Sequence, residues 1–182
     1  METLNIEKEK AINAYQQGSE EQKKVLEQLF GKETFRQLMV TDRIKTFNDA
    51  LIELGPNHPL VKEFEAIHKA DNTPNLINYS KLCIVTAALN EGWTPKLIEG
   101  EKRYSPCFFL YTYKEIRNMS KEEKSSVVYQ SCDYASGGVS LAFTNCDTTT
   151  VRFGSRLAFK TSELAEYAGK QFGKLYANYL GI

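Results

Sequence analysis

The sequence predicts an α+β fold: N-terminal helices followed by an antiparallel sheet of about four strands, packed by a C-terminal helix. Three observations carry this expectation. Residues 151–160 (VRFGSRLAFK) alternate apolar and polar, with Val151, Phe153, Leu157 and Phe159 on one side, as a half-buried strand does. Residues 162–180 switch to helical spacing: Leu164, Ala168, Phe172, Leu175, Tyr176 and Tyr179 share one face, and Glu163, Glu166, Lys170 and Lys174 lie opposite. Residues 75–90 are apolar nearly all round, which puts that helix in the middle of a core.

The elements follow in chain order. Residues 6–17 form a weakly amphipathic helix whose apolar content is Ile6, Ala14 and Tyr15. Ser19 with Gln22 is a capping-box pattern, and Val25, Leu26, Leu29 and Phe30 form one stripe that ends at Gly31. Thr34 to Met39 adds a turn or two, so residues 1–39 read as a helical leader and residues 40–182 as the α+β domain. Thr41-Asp42 opens the next helix, with Ile44, Phe47, Leu51 and Leu54 on one face. Gly55-Pro56 breaks it, and Pro59 suits a first helical position, with His58 as its cap. Leu60, Phe64 and Ile67 carry that helix, and Gly92 closes the apolar one that follows.

From Trp93 the period changes. Residues 103–113 are rich in β-formers on both faces, so a strand covered on both sides is expected. Residues 118–124 are a charged loop or single turn. Residues 127–134, 139–145 and 151–160 form a meander, with a strong turn at Ala135-Ser-Gly-Gly138. Val139, Leu141 and Phe143 point one way, and Ser140, Ala142 and Thr144 the other.

Composition narrows the function classes. With 42% hydrophobic and 12% aromatic residues in 182, the chain folds rather than staying disordered. The 23 basic and 23 acidic side chains balance, which argues against nucleic-acid binding by bulk electrostatics. The longest apolar run, residues 82–89, is far short of a membrane span, and the charged residues 1–10 carry no secretory signal. A cytoplasmic protein is the expectation. Cys83, Cys107, Cys132 and Cys146 lack metal-ligand spacing and read as reduced structural residues. A Cys132–Cys146 disulfide meets a geometric objection. A Ser136-Gly137 turn sets Cys132 opposite Leu141, and Cys146 opposite Val127.

P-loop, G-x-S-x-G and H-E-x-x-H motifs are absent, and neither His58 nor His68 has a sequence context that suggests acid–base work. Gly169-Lys-Gln-Phe-Gly173 reads as close backbone packing, with a homo-oligomer contact through the C-terminal helix as its functional version. The candidate ligand-binding residues are Arg103, Tyr104, Arg117, Arg152 and Arg156. Guanidinium forks bind phosphate or carboxylate oxygens bidentately, and neighbouring rings stack on a base. Arginine and tyrosine on a strand face also pair across strands without any ligand.

The stretch 14–35 (AYQQGSEEQKKVLEQLFGKETF) resembles a short helical leader of small tailed-phage and prophage proteins. Trp93-Thr-Pro, Arg103-Tyr-Ser-Pro, Gly154-Ser-Arg-Leu-Ala-Phe-Lys160 and Ala165-Glu-Tyr-Ala-Gly-Lys-Gln-Phe172 resemble the second part of the same uncharacterised proteins. The resemblance implies an origin and a modular layout; it carries no site residues. The resulting expectation is a non-enzymatic phage or prophage binding protein that sequesters an anionic, nucleotide-like ligand on an Arg/Tyr strand face, or that meets a host or phage protein, with no cofactor. Two other classes stay open: a virion or assembly component, and a hydrolase or transferase with an unfamiliar site.

Overall fold

The computed structural model describes residues 6–31, 34–35, 39–70, 73–96, 98–129, 137–147 and 155–182. The chain forms two compact units, Met1–Arg43 and Ile44–Ile182. In the first, α1 (Lys8–Gln17) and α2 (Glu20–Phe30) meet at Ser19, whose capping box with Gln22 satisfies donors that the helix start would leave bare. Tyr15 stacks on Phe35 at 4.4 Å, and these two rings with Ala11 are buried, flanked by Leu26 and Phe30. Ala11 thus fills the place expected of Ala14, while Val25 and Leu29 face solvent. Only half of the α2 stripe is used. A short helix, α3 (Val40–Arg43), ends the unit.

In the second unit the helix expected to open at Thr41-Asp42 starts later. Thr46 is the cap, in a capping box with Asp49, and α4 runs Phe47–Leu54. His58 caps α5 (Pro59–Lys69), its Nδ1 accepting from the Leu60 amide at 3.2 Å, with Pro59 at the tolerated first position. The apolar helix α6 (Pro74–Leu89) is the centre: Leu82, Cys83, Ile84, Val85, Ala88 and Leu89 are all buried, and α4, α5 and the C-terminal helices pack around it.

β1 (Arg103–Thr112) pairs antiparallel with β3 (Gly137–Asp147). A two-residue strand, β2 (Val128–Tyr129), flanks β3, giving the order β1-β3-β2. Among the described residues the sheet is therefore two long strands with a stub, not about four strands. Thr112 turns the chain out of β1 by capping α7 (Tyr113–Asn118), and Ser120 caps the single turn α8 (Lys121–Ser125).

Several strand expectations are corrected. Ser155–Leu157 is a 3-10 turn, and among the described residues of the segment predicted as the last strand only Phe159 bridges, exchanging both backbone hydrogen bonds with Tyr104 at 2.8 and 3.0 Å. Leu157, Ala158 and Phe159 are buried in succession, so this segment is enclosed rather than half-exposed and cannot hold a period of two. Val151 and Phe153 lie outside the described residues, as do residues 130–136 of the expected second strand and turn. The register pairs Val128 with Val139, six positions away from the one a Ser136-Gly137 turn would impose. Cys146 pairs with Tyr104 on β1 and is a free thiol.

A bulge also breaks the facing pattern. The register steps between Cys107/Phe143 and Phe108/Leu141, leaving Ala142 as the extra residue. Leu141 meets the C-terminal helix, whereas Phe143 falls on the opposite face and is 56% exposed. The second half of β1 is open as well, with Phe109 and Leu110 exposed, so the strand is covered on both sides only at its start.

The predicted C-terminal helix is two helices, α9 (Ser162–Gln171) and α10 (Gly173–Leu180), divided at Phe172. α9 lies on β1 and β3 because Gly169 lets it: a Cβ there would sit 2.5 Å from Leu141 Cδ1 and 3.0 Å from Pro106 Cβ. Gly173 faces Val128, so the Gly-x-x-x-Gly spacing is spent on the chain's own sheet. The break lets Tyr176 of α10 tilt over Phe108 at 5.0 Å.

Gly169→Val is expected to cost about 1–3 kcal/mol by overpacking, read by urea denaturation; unchanged stability would refute the close approach. The buried Tyr176 hydroxyl has no hydrogen-bond partner among the described residues, and burial raises its pKa above the ordinary 10.0. The phenol is thus held neutral in the fold, so its stabilising share is present below about pH 10 and lost as pH rises further. Tyr176→Phe should leave stability at neutral pH equal or up to about 2 kcal/mol higher and move alkaline unfolding to higher pH. A loss of stability at neutral pH would show that the hydroxyl is partnered.

Candidate functional site

A cleft of about 650 Å³ runs along α6 in the second unit. Its walls are Glu53 and Leu54 at the end of α4, His58 and Leu60 at the start of α5, and Cys83, Thr86, Ala87 and Ala88 on α6. The turn after α6, from Asn90 to Pro95, and Arg156 and Ala158 complete it. The volume is that of a small-molecule site.

Asn90 builds the far wall. Its Nδ2 donates to the Ala158 carbonyl at 2.8 Å and its Oδ1 accepts from the Lys160 amide at 3.0 Å, while the side chain is almost wholly buried. A side-chain amide presents its N–H donors and its acceptor oxygen in one fixed plane, so one residue pins an extended segment to the helix end. Ion pairs flank this clamp: Lys160 with Glu91 at 3.0 Å and Arg156 with Glu63 at 3.3 Å, both solvent-exposed. Glu91 adopts φ 49, a left-handed conformation that costs a non-glycine residue energy, and Gly92 follows at φ 85.

Inside the cleft, Thr86 is 2% exposed and its Oγ1 has no hydrogen-bond partner among the described residues. Trp93, the only tryptophan of the chain, lies half-buried at the mouth. Burial pushes the Cys83 thiol up from its usual range, so it stays protonated at neutral pH. His58 also lines the cleft, with Nδ1 engaged in capping. His68 is exposed and stacked on Phe64 at 5.7 Å. Among the described residues no group of three His, Cys, Asp or Glu could hold a metal, and no helix is long and apolar enough to cross a membrane.

The five sequence candidates do not converge. Arg103 is buried where β1 opens, and Tyr104 follows on the other face of the strand. Arg117 is exposed on α7, its carbonyl accepting from Lys124 Nζ at 3.2 Å. Arg152 lies outside the described residues. Arg156, expected on a strand face, sits on the 3-10 turn and reaches toward α5 and α6. Thr86, Trp93, Glu91 and Asn90 went unmarked as site residues, because a threonine inside an apolar helix and an asparagine at its end carry no motif. Close to Arg103, Ser105 and Asn145 face each other across β1 and β3, with Oγ and Nδ2 buried and unpartnered among the described residues.

No protein-family model matches the chain, no curated protein matches its sequence and no solved structure matches its fold. The cleft therefore has to be read from its own chemistry.

Asn90→Ala should leave the Ala158 carbonyl and the Lys160 amide without partners, at a cost on the order of 2–4 kcal/mol. Hydrogen exchange at Lys160 should accelerate with it. Protection unchanged at that amide would mean the clamp is dispensable.

Proposed function

We propose that this protein is a non-enzymatic binding module, of phage or prophage origin, that captures a small ligand carrying an anionic group in the cleft along α6. The observation that supports this reading is the conjunction within one cleft of Arg156, Trp93 and the buried, unpartnered Thr86 hydroxyl. A buried hydroxyl without a partner is costly, and a ligand acceptor or donor would offset that cost. The Arg156 guanidinium holds Glu63 only through an exposed pair, worth about 0–1 kcal/mol, so it can turn to a ligand oxyanion at little expense. The origin rests on the likeness of the leader and of the 154–172 stretch to phage proteins.

The strand-face location remains a second reading. Ser105 and Asn145 are buried donors without described partners, on the face where Phe109 and Phe143 expose their rings. A phosphate at the donors and a base over Phe143 would suit that face.

Adenosine monophosphate and inorganic phosphate, titrated against Trp93 fluorescence and by calorimetry, test the two locations. Binding that Arg156→Ala weakens about 10–100-fold, the worth of a charge-assisted hydrogen bond, supports the cleft. Heat of binding lost in Phe143→Ala and retained in Arg156→Ala would move the site to the sheet, and no heat with either probe would count against an anionic ligand.

A further inference from the structure

We infer that His58 is a ligand contact of the cleft and that it sets the ligand's class: a planar monocarboxylic acid whose ring carries a hydrogen-bond acceptor, the carboxylate meeting Arg156 and the ring acceptor meeting His58 Nε2. This deepens the cleft reading and rests on it. The fold fixes the tautomer of His58. Its Nδ1 accepts from the Leu60 amide at 3.2 Å, so that nitrogen carries no proton, and in the neutral imidazole the proton sits on Nε2. Nε2 makes no hydrogen bond among the described residues, and the half-buried ring lines the cleft. His58 is therefore an uncharged donor, anchored at the start of α5 by its own capping bond.

The rest of the lining narrows what meets that donor. Glu53 and Glu91 are engaged by other groups of the chain, and Asn90 spends both ends of its amide on Ala158 and Lys160. Arg156, and His58 in this tautomer, can only donate into the cleft, so a ligand has to bring an acceptor to each. Arg156 is the one cation among the described lining residues, and a single guanidinium matches a single carboxylate. The buried, unpartnered Thr86 hydroxyl stands one turn beyond Cys83 on α6, where it can donate to the second carboxylate oxygen. Arg156 shares a small side pocket with Leu60 and Cys83, and the Leu60 amide is the one that His58 holds. Both groups are thus neighbours of Leu60, and a ligand one ring long reaches from one to the other. The walls suit a ring: Leu54, Leu60 and Ala87 are apolar and half-buried, and Trp93 supplies an aromatic side chain at the mouth.

Calorimetry on the full chain compares pyridine-3-carboxylate with benzoate, two acids of one shape that differ in a single ring nitrogen. The pyridine acid is expected to bind at least about tenfold tighter, the worth of one hydrogen bond. His58→Asn separates recognition from folding, because asparagine keeps an oxygen to cap α5 but is too short to place a donor where Nε2 stands. It should bring the pyridine acid down to the level of benzoate, leave benzoate binding unchanged and keep the denaturation midpoint at or above that of the parent. If asparagine lowers the midpoint, His58→Ser, a second capping residue, takes its place with the same expected result. Equal binding of the two acids to the parent, equal loss of both in the variant, or indifference of the pyridine acid to it overturns the role of His58. The cleft reading stands in each of those cases if Arg156→Ala still abolishes binding of benzoate or adenosine monophosphate. No heat from either acid also overturns the inference, and adenosine monophosphate and inorganic phosphate then decide the cleft reading by themselves.

Discussion

The second unit depends on the burial of one helix. From Leu82 onward α6 is packed by α4 and α5, by α10 and by the 3-10 turn, and a helix so apolar is stable only against such neighbours. The residue that caps its end makes the covering specific. Apolar contacts slide at little cost, but the Asn90 amide accepts and donates at fixed positions on Lys160 and Ala158. Phe159, held between those two residues, then exchanges backbone hydrogen bonds with Tyr104. One buried side chain thereby joins the helical layer to the edge of the sheet.

The cleft follows from that arrangement. Its frame is made of buried hydrogen bonds and packed apolar side chains, whereas the ion pairs Lys160–Glu91 and Arg156–Glu63 at its mouth, at 3.0 and 3.3 Å, are solvent-exposed. A stiff frame with exchangeable rim contacts favours ligand capture, since ordering the site adds little to the cost of binding. Cys83 lines the same space, and burial keeps it a thiol.

The sheet is held by a different device. Gly169 brings the α9 backbone down onto Leu141 and Pro106, and the bulge at Ala142 turns Phe143 away from that contact. The two together leave one face dry and packed and the other lined with exposed rings. Capping boxes at Ser19, Thr46, Thr112 and Ser120 start helices by the same local exchange of hydrogen bonds.

What the amino-acid sequence determined by itself is what short-range physics controls. The caps at Ser19 and His58, the break at Gly55-Pro56 and the apolar helix ending near Asn90 depend on neighbours within a turn or two, so their residues are legible in order. Tertiary structure decided the rest. Whether Val25 or Leu26 is covered depends on Ala11, Tyr15 and Phe35 outside its own helix, and whether residues 155–159 extend as a strand or curl into a 3-10 turn, and on which face Phe143 emerges, depend on partners tens of residues away. The same holds for the cleft. Arg156 was marked for its guanidinium, but only the fold sets it 3.3 Å from Glu63 and within one cavity with Thr86 and Trp93. A side chain's chemistry is local, whereas its company is set by burial, and burial belongs to the whole unit.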